Sequence, residues 1–321
     1  FWGGAFLIIA VTGLNTASEP SSGYGVIKSF KGANRDEYKI AGLAYEPYET
    51  SLYNKDLADK AFLIPSPSEN RKEFIRRISS IKSGYGLDIL IPNLAFDIPA
   101  VADLAPELKR MGIDTLLPGR NALHKIMGQK PTQNPVNPEA TSFPDNMATG
   151  RDQALFASLV KNPVRSPSQI SASSPDMFST ALLADRESNL AGIVSVKKLV
   201  VSKGGSMWMG LSVETGDFAL KVEKFVRETG WVGPMTINTV SNERGLSYIS
   251  GIHPGFPDWI NFAAGAGVNL PTALIGILTG KEMHHSSFRA EPGRLFVRMS
   301  VDVVTDINRF GAFSLTGELE T

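Results

Sequence analysis

Residues 233–271, GPMTINTVSNERGLSYISGIHPGFPDWINFAAGAGVNLP, constrain the fold more than any other stretch. Two alternating apolar runs, Met235–Val240 and Leu246–Ile249, flank the polar turn Ser241-Asn242-Glu243-Arg244-Gly245. That is the pattern of a β-hairpin. A bend rich in Pro and Gly follows over Ile252–Pro257. Trp259–Gly267 then leads into Val268-Asn269-Leu270-Pro271 and the apolar run Ala273–Leu278, which reads as helical.

The first third of the chain has a different rhythm. Phe6–Thr12 (FLIIAVT) is a continuous apolar, β-branched run, as expected of a central parallel strand. Gly13 to Gly25 reads as a loop, and a helix begins at Val26–Phe30. Tyr38–Ala44 and Ala61–Ile64 are the second and third strands. Arg71–Lys82 carries Phe74, Ile75, Ile78 and Ile81 at helical spacing. Asp88–Pro92 is a fourth strand, Ile98–Met111 a helix, and Asp114–Pro118 a fifth strand. Strands alternating with helices at this spacing predict a doubly wound parallel sheet. Gly13, Gly23 and Gly25 do not form the G-x-G-x-x-G of a dinucleotide site, which argues against a nicotinamide dehydrogenase. They are read as glycines that turn the chain.

Lys125 to Ser174 is dense in Pro, Asn, Ser and Gln, and only Asp152–Val160 reads as helix, so the stretch is taken as a linker or a poorly ordered region. Met177–Ala184 is then a strand, Asp185–Asn189 a turn, and Leu190–Val201 a long strand broken at Lys197-Lys198. Ser202–Gly210 is a polar, glycine-bearing loop, and Gly216–Thr229 an amphipathic helix. Leu295–Ser300 is a late strand.

Lys+Arg and Asp+Glu both total 32 in 321 residues, a zero formal charge that argues against a general nucleic-acid binder. There is no cysteine, which excludes disulfides, thiolate zinc sites and cysteine nucleophiles and is compatible with the cytoplasm. The run Ala5–Val11 is too short to span a bilayer and is read as a buried strand. A trimmed start is expected from the missing initiator Met. His284 and His285 are adjacent and point different ways on any regular element, so no shared metal is expected there. No G-x-S-x-G elbow supports a hydrolase.

Several of these elements together resemble the ATP-grasp ligase superfamily. The likeness is to a branch of carboxylate–amine ligase-like proteins related to the carbamoyl-phosphate-synthase type. It rests on Pro254, Phe256, Pro257, Trp259 and Ile260, on Asn269-Leu270-Pro271, on Phe296-x-Arg298-x-Ser300, and on the closing Thr316-Gly317-Glu318-Leu319. It runs from about Phe6 to Leu319. The fold it implies is α/β: a doubly wound parallel sheet of the pre-ATP-grasp type over 1–124, a reduced lid over 125–176, and an ATP-grasp-like α+β domain over 177–321.

In that superfamily the second hairpin strand ends Glu-Ile-Asn-Pro-Arg, with Glu and Asn on magnesium and Arg on phosphate. Here Gly251, His253 and Gly255 stand at those positions. Asn238 matches the metal position of the first strand, so Asn238 and His253 are the metal candidates, and His253 offers a nitrogen that magnesium takes poorly. Asp258 follows closely, but the pattern assigns it no place in the site. Lys161 matches the phosphate-binding lysine of the lid. Lys198, Lys203, Gly204 and Gly205 match a basic, Gly-containing loop that faces phosphates, with Lys198 and Lys203 the catalytic candidates. Asn15, Glu46 and Asp97 sit in loops that face the acceptor substrate in such proteins.

The resemblance implies an ATP- and magnesium-dependent ligase that joins a carboxylate to an amine through an acyl phosphate. The alternative is a catalytically weakened homologue acting as a nucleotide-binding, ligand-binding or scaffold protein. Small-molecule or peptide carboxylates and amines are the expected partners, without nucleic acid or membrane, and a homodimer is compatible with the family.

Overall fold

The computed structural model describes residues 6–16, 20–32, 37–127, 176–203, 205–241, 247–281 and 289–320. Lys161, Gly204, Asp152–Val160, His284 and His285 lie outside them. Two sheets organise the described residues. The first contains the parallel strands β1 (Leu7–Val11), β2 (Tyr38–Ala44), β3 (Lys60–Leu63) and β4 (Ile89–Ile91), with β1 between β2 and β4. The apolar run of β1 is buried toward its C-terminal end, as its central position demands. Helices α1 (Ser22–Lys31) and α2 (Arg71–Gly84) connect these strands, and α3 (Asp97–Arg110) follows β4. Helix α2 starts at an Asn70 cap whose side chain accepts from Glu73 N at 3.2 Å, and it buries Phe74, Ile78 and Ile81.

Three expectations are corrected in this architecture. Helix α1 starts at Ser22 and not at Val26, because Gly23 and Gly25 are packing glycines within it. A Cβ at Gly23 would collide with the Thr12 carbonyl, and one at Gly25 would lie 3.0 Å from Ile260 Cγ2. Asp114–Pro118 is not a fifth strand. Asp114 makes one bridge to Ile89, its N–H donating to Asp88 O at 2.8 Å and its carbonyl accepting from Leu90 N at 2.9 Å. The fifth strand is β11 (Glu318–Glu320), which lies antiparallel on β3 and brings the chain's end back to the first sheet. Third, the loop after Leu190–Val201 closes at Ser206, where Ser202 N donates to Ser206 O at 2.9 Å. Met207–Gly210 already belong to a strand.

The second sheet is antiparallel, in the order β10-β7-β6-β5-β8-β9. Its strands are β5 (Asp176–Ala184), β6 (Leu190–Val201), β7 (Met207–Val213), β8 (Gly233–Ser241), β9 (Ser247–Pro254) and β10 (Leu295–Val297). Helices α4 (Arg120–Met127) and α5 (Gly216–Thr229) pack on one face with Trp231, Met235 and Ile237. Helices α6 (Ile260–Gly265) and α7 (Leu270–Thr279) lie toward α1, and α8 (Ile307–Thr316) precedes β11.

One apolar cluster joins Ile9, Val11 and Phe30 to Ala181, Val194, Trp259 and Leu270, so the two sheets share a core. Asn269 explains the Asn-Leu-Pro element physically. Its side-chain oxygen caps α7 by accepting from Thr272 N at 3.1 Å, while its amide nitrogen donates to Ser29 O at 2.8 Å and ties α7 to α1. Among the described residues, no helix is long and apolar enough to cross a membrane.

Candidate anion-binding cleft

The hairpin β8–β9 pairs Asn238 with Gly251 and Thr236 with His253, and β5 sets Ser179 beside Asn238. Side chains two apart on a strand share a face, so these residues present one surface. With Lys198 of β6, Ser179, Thr236, Asn238 and His253 line a cleft of about 260 Å³ that Asn93, Phe256, Asp258 and Trp259 also border. The sheet therefore brings Asn238, His253, Lys198 and Gly205 together. Lys203 is exposed and is not among the residues lining the cleft. Asn15 and Glu46 are also exposed away from it, whereas Asp97 is fully buried at the start of α3. Lys197 is drawn off to Asp176 at 2.8 Å.

Lys198 Nζ donates to Gly205 O at 3.2 Å. Burial holds its pKa below the usual lysine range, and the Asp258 carboxylate works against that fall. Burial also lowers the His253 pKa, and the Lys198 charge lowers it further. An anion in the cleft would relieve the desolvated ammonium.

Asp258 does line the cleft, contrary to the sequence expectation. Arg298 of the Phe-x-Arg-x-Ser segment holds it, NH1 donating to Oδ2 at 2.7 Å and NH2 to the Asp258 carbonyl at 2.8 Å. Sequence reasoning missed this pair and Asn93, although Arg298 stood among the residues on which the resemblance rested, the available signal for the first. Trp259 Nε1 donates to Ser179 Oγ at 3.1 Å, which fixes the bend behind the cleft.

The donor set does not suit magnesium. Asn238 Oδ1 is a hard oxygen and has no hydrogen-bond partner. The other candidates are an imidazole, a carboxylate already engaged by Arg298, and an ammonium in the same wall. Among the described residues, no group of three or more His, Asp or Glu is placed to hold a metal ion. Side chains at Gly251 and Gly255 would also meet close neighbours. A Cβ at Gly251 would lie 2.8 Å from His253 Nε2. Gly255 has φ +94°, and a Cβ there would lie 2.8 Å from Ile98 Cδ1.

No family model and no curated protein matches the chain. Solved structures do. Pyruvate carboxylase from Rhizobium etli with its allosteric activator acetyl coenzyme A aligns at 14% identity and TM-score 0.52, covering 90% of this chain and 27% of that one. The biotin carboxylase subunit of a pyruvate carboxylase aligns at 12% identity and TM-score 0.52, covering 86% of this chain and 70% of that one. The biotin carboxylase domain dimer of Hydrogenobacter thermophilus 2-oxoglutarate carboxylase, solved with MgADP, ADP and bicarbonate, aligns at 13% identity and TM-score 0.51, covering 87% and 71%. The chain thus spans about a quarter of the whole carboxylase and about seven tenths of the separate domains. At these identities the likeness is one of architecture: the chain has the ATP-grasp fold of biotin carboxylase domains.

Proposed function

We propose that this chain is a catalytically weakened ATP-grasp homologue that binds the phosphates of ATP in the Lys198 cleft. The donor set of the cleft carries this reading: Lys198, Asn238 and an exposed His253 stand there, while Gly251 and Gly255 replace the Glu and Arg of the ligase motif. Lys198 neutralises phosphate charge from a partly desolvated position, where an ion pair is stronger than in water. Phosphoryl transfer depends on charge neutralisation by metal and cation together, so losing a carboxylate ligand and an arginine removes several kcal/mol of transition-state stabilisation. Within this reading, residues 1–124 are the pre-ATP-grasp part, 125–176 the lid with Lys161, and 177–321 the ATP-grasp part of the carboxylate–amine ligase-like branch.

Calorimetric titration with ATP, with and without magnesium, tests the proposal. Binding that changes little on adding magnesium supports it. No binding in either condition removes it.

A second reading, an active ligase joining a carboxylate to an amine through an acyl phosphate, is favoured by Asn238 Oδ1, an unpartnered hard oxygen where that family's first-strand metal ligand stands. Tight, magnesium-dependent ATP binding and ADP release across a panel of acids and amines would establish it over the first. A homodimer, as in the 2-oxoglutarate carboxylase domain, is part of either proposal, and sedimentation checks it.

A further inference from the structure

The Phe-x-Arg-x-Ser segment belongs to a longer alternating run, Leu295-Phe296-Val297-Arg298-Met299-Ser300-Val301-Asp302-Val303. In an antiparallel strand with one buried face, the apolar set lies on the core side. Here it faces out. Leu295, Val297, Met299, Val301 and Val303 are exposed, whereas Phe296 packs against the Phe262 ring at 5.6 Å and Arg298 turns in to Asp258. The next residue, Val304, is 99% exposed. Among the described residues, eight of the twelve large apolar side chains that stand exposed lie between Leu295 and Leu315, so the exposure is concentrated rather than scattered. A concentration of this kind marks an interaction surface.

The backbone of the same segment is open as well. Among the described residues, β10 is the outer strand of the second sheet. Ser212 N donates to Arg294 O at 2.9 Å, and Arg298 N donates to Trp208 O at 2.8 Å. The even-numbered residues therefore turn their backbone groups to β7, and Leu295 and Val297 turn theirs to the outer edge. Proteins commonly blunt such an edge with Lys or Pro, and residues 293–305 contain neither.

The arrangement of charge points to the occupant. Arg294 and Asp302 flank the run, each four residues from Arg298. An antiparallel second copy centred on Arg298 sets Arg294 opposite the partner's Asp302, Leu295 opposite the partner's Val301 and Val297 opposite the partner's Met299. Odd residues face odd residues, so the outward backbone groups of the two strands meet. The two Arg298 side chains approach at the axis, each already neutralised by its own Asp258 at 2.7 Å. The exposed apolar side chains offer roughly 800 Å², the share that one partner gives to a standard interface.

We propose that β10 and the residues through Val304 form the interface of a homodimer, pairing edge to edge with a second copy about an axis at Arg298, so that the antiparallel sheet continues from one copy into the other. This assigns a surface to the homodimer and does not depend on ATP binding in the Lys198 cleft.

Sedimentation of the full chain tests it. The wild type should be a dimer at micromolar concentration. Val301→Lys should yield a monomer with an unchanged circular dichroism spectrum, because Val301 is exposed in the single chain. Leu220→Lys, at an exposed site in α5, should remain dimeric. Arg294→Asp should weaken the dimer about tenfold, since it sets like charges opposite each other twice, and adding Asp302→Arg should restore most of the loss. A wild type that stays monomeric overturns the inference and leaves the surface to a different partner. A dimer that survives Val301→Lys overturns it too, as does a loss in Arg294→Asp that Asp302→Arg fails to rescue.

Discussion

Replacing Asp97 by asparagine should stabilise the protein above about pH 6 and leave it little changed near pH 4. Asp97 is fully buried, and its Oδ2 accepts from Thr12 Oγ1 at 3.2 Å. Burial raises its pKa from the ordinary 3.8 to about 6. The Tyr45 and Thr12 hydroxyls oppose that rise, and the Glu49 charge adds to it. At about 1.4 kcal/mol per pH unit, the ionised carboxylate costs the native state about 3 kcal/mol. The native state holds the proton more tightly than the unfolded chain, so the wild type is free of this cost below pH 3.8, and loses stability as pH rises to about 6. The cost is constant above that. Asparagine is isosteric and stays neutral, so Asp97→Asn should gain up to about 3 kcal/mol at pH 8 and flatten the slope between about pH 4 and 6. Urea unfolding followed by tryptophan fluorescence at both ends of this range measures the difference. Equal destabilisation at both pH values would refute the reasoning, because it would mean that the ionised carboxylate is satisfied in the fold.

Three further outcomes follow from the cleft and its supports. Lys198→Met should lower ATP affinity by about tenfold or more without lowering thermal stability, since it removes a partly desolvated ammonium; an unchanged titration would move the phosphates elsewhere. Gly251→Glu alone should destabilise through its contact with His253, and adding His253→Asn should recover part of the loss in a double-mutant cycle; strict additivity would contradict the geometry. Leu319→Ala should cost about 2–4 kcal/mol in unfolding experiments, because Leu319 is 5% exposed and anchors β11 on β3; a loss under about half a kcal/mol would mean that the last strand contributes little.

Much of the fold was legible residue by residue. Tyr38–Ala44, Leu190–Val201 and Gly216–Thr229 end where their patterns predict, because each has a complete apolar run or amphipathic period bounded by polar or glycine residues. The misreadings share a cause. Gly23 looks like a turn glycine in sequence, and only the Thr12 carbonyl beside it makes it a helix glycine. Asp114–Pro118 has strand composition, but the space beside β4 is used by one bridge alone, and Asp114 turns its carboxylate to Lys109 and Arg186. Glu318–Glu320 is too short to carry a periodic signal and is a strand only because β3 offers it an edge.

The cleft divides in the same way. Lys198, Asn238 and His253 were named through the resemblance, and the hairpin register, a short-range property, sets Asn238 and His253 on one face. Asp258 and Arg298 are 40 residues apart, and Asn93 follows a strand of the other sheet, so no local spacing could group them. By itself the sequence determined the two kinds of sheet and the hairpin with its bend, which carries Gly251, His253 and Gly255. Only the tertiary structure decided that the chain's end completes the first sheet, that Arg298 occupies Asp258, and that Asn93 borders the cleft. Each of these is settled by which distant surfaces the shared core presses together, a quantity that local periodicity does not encode.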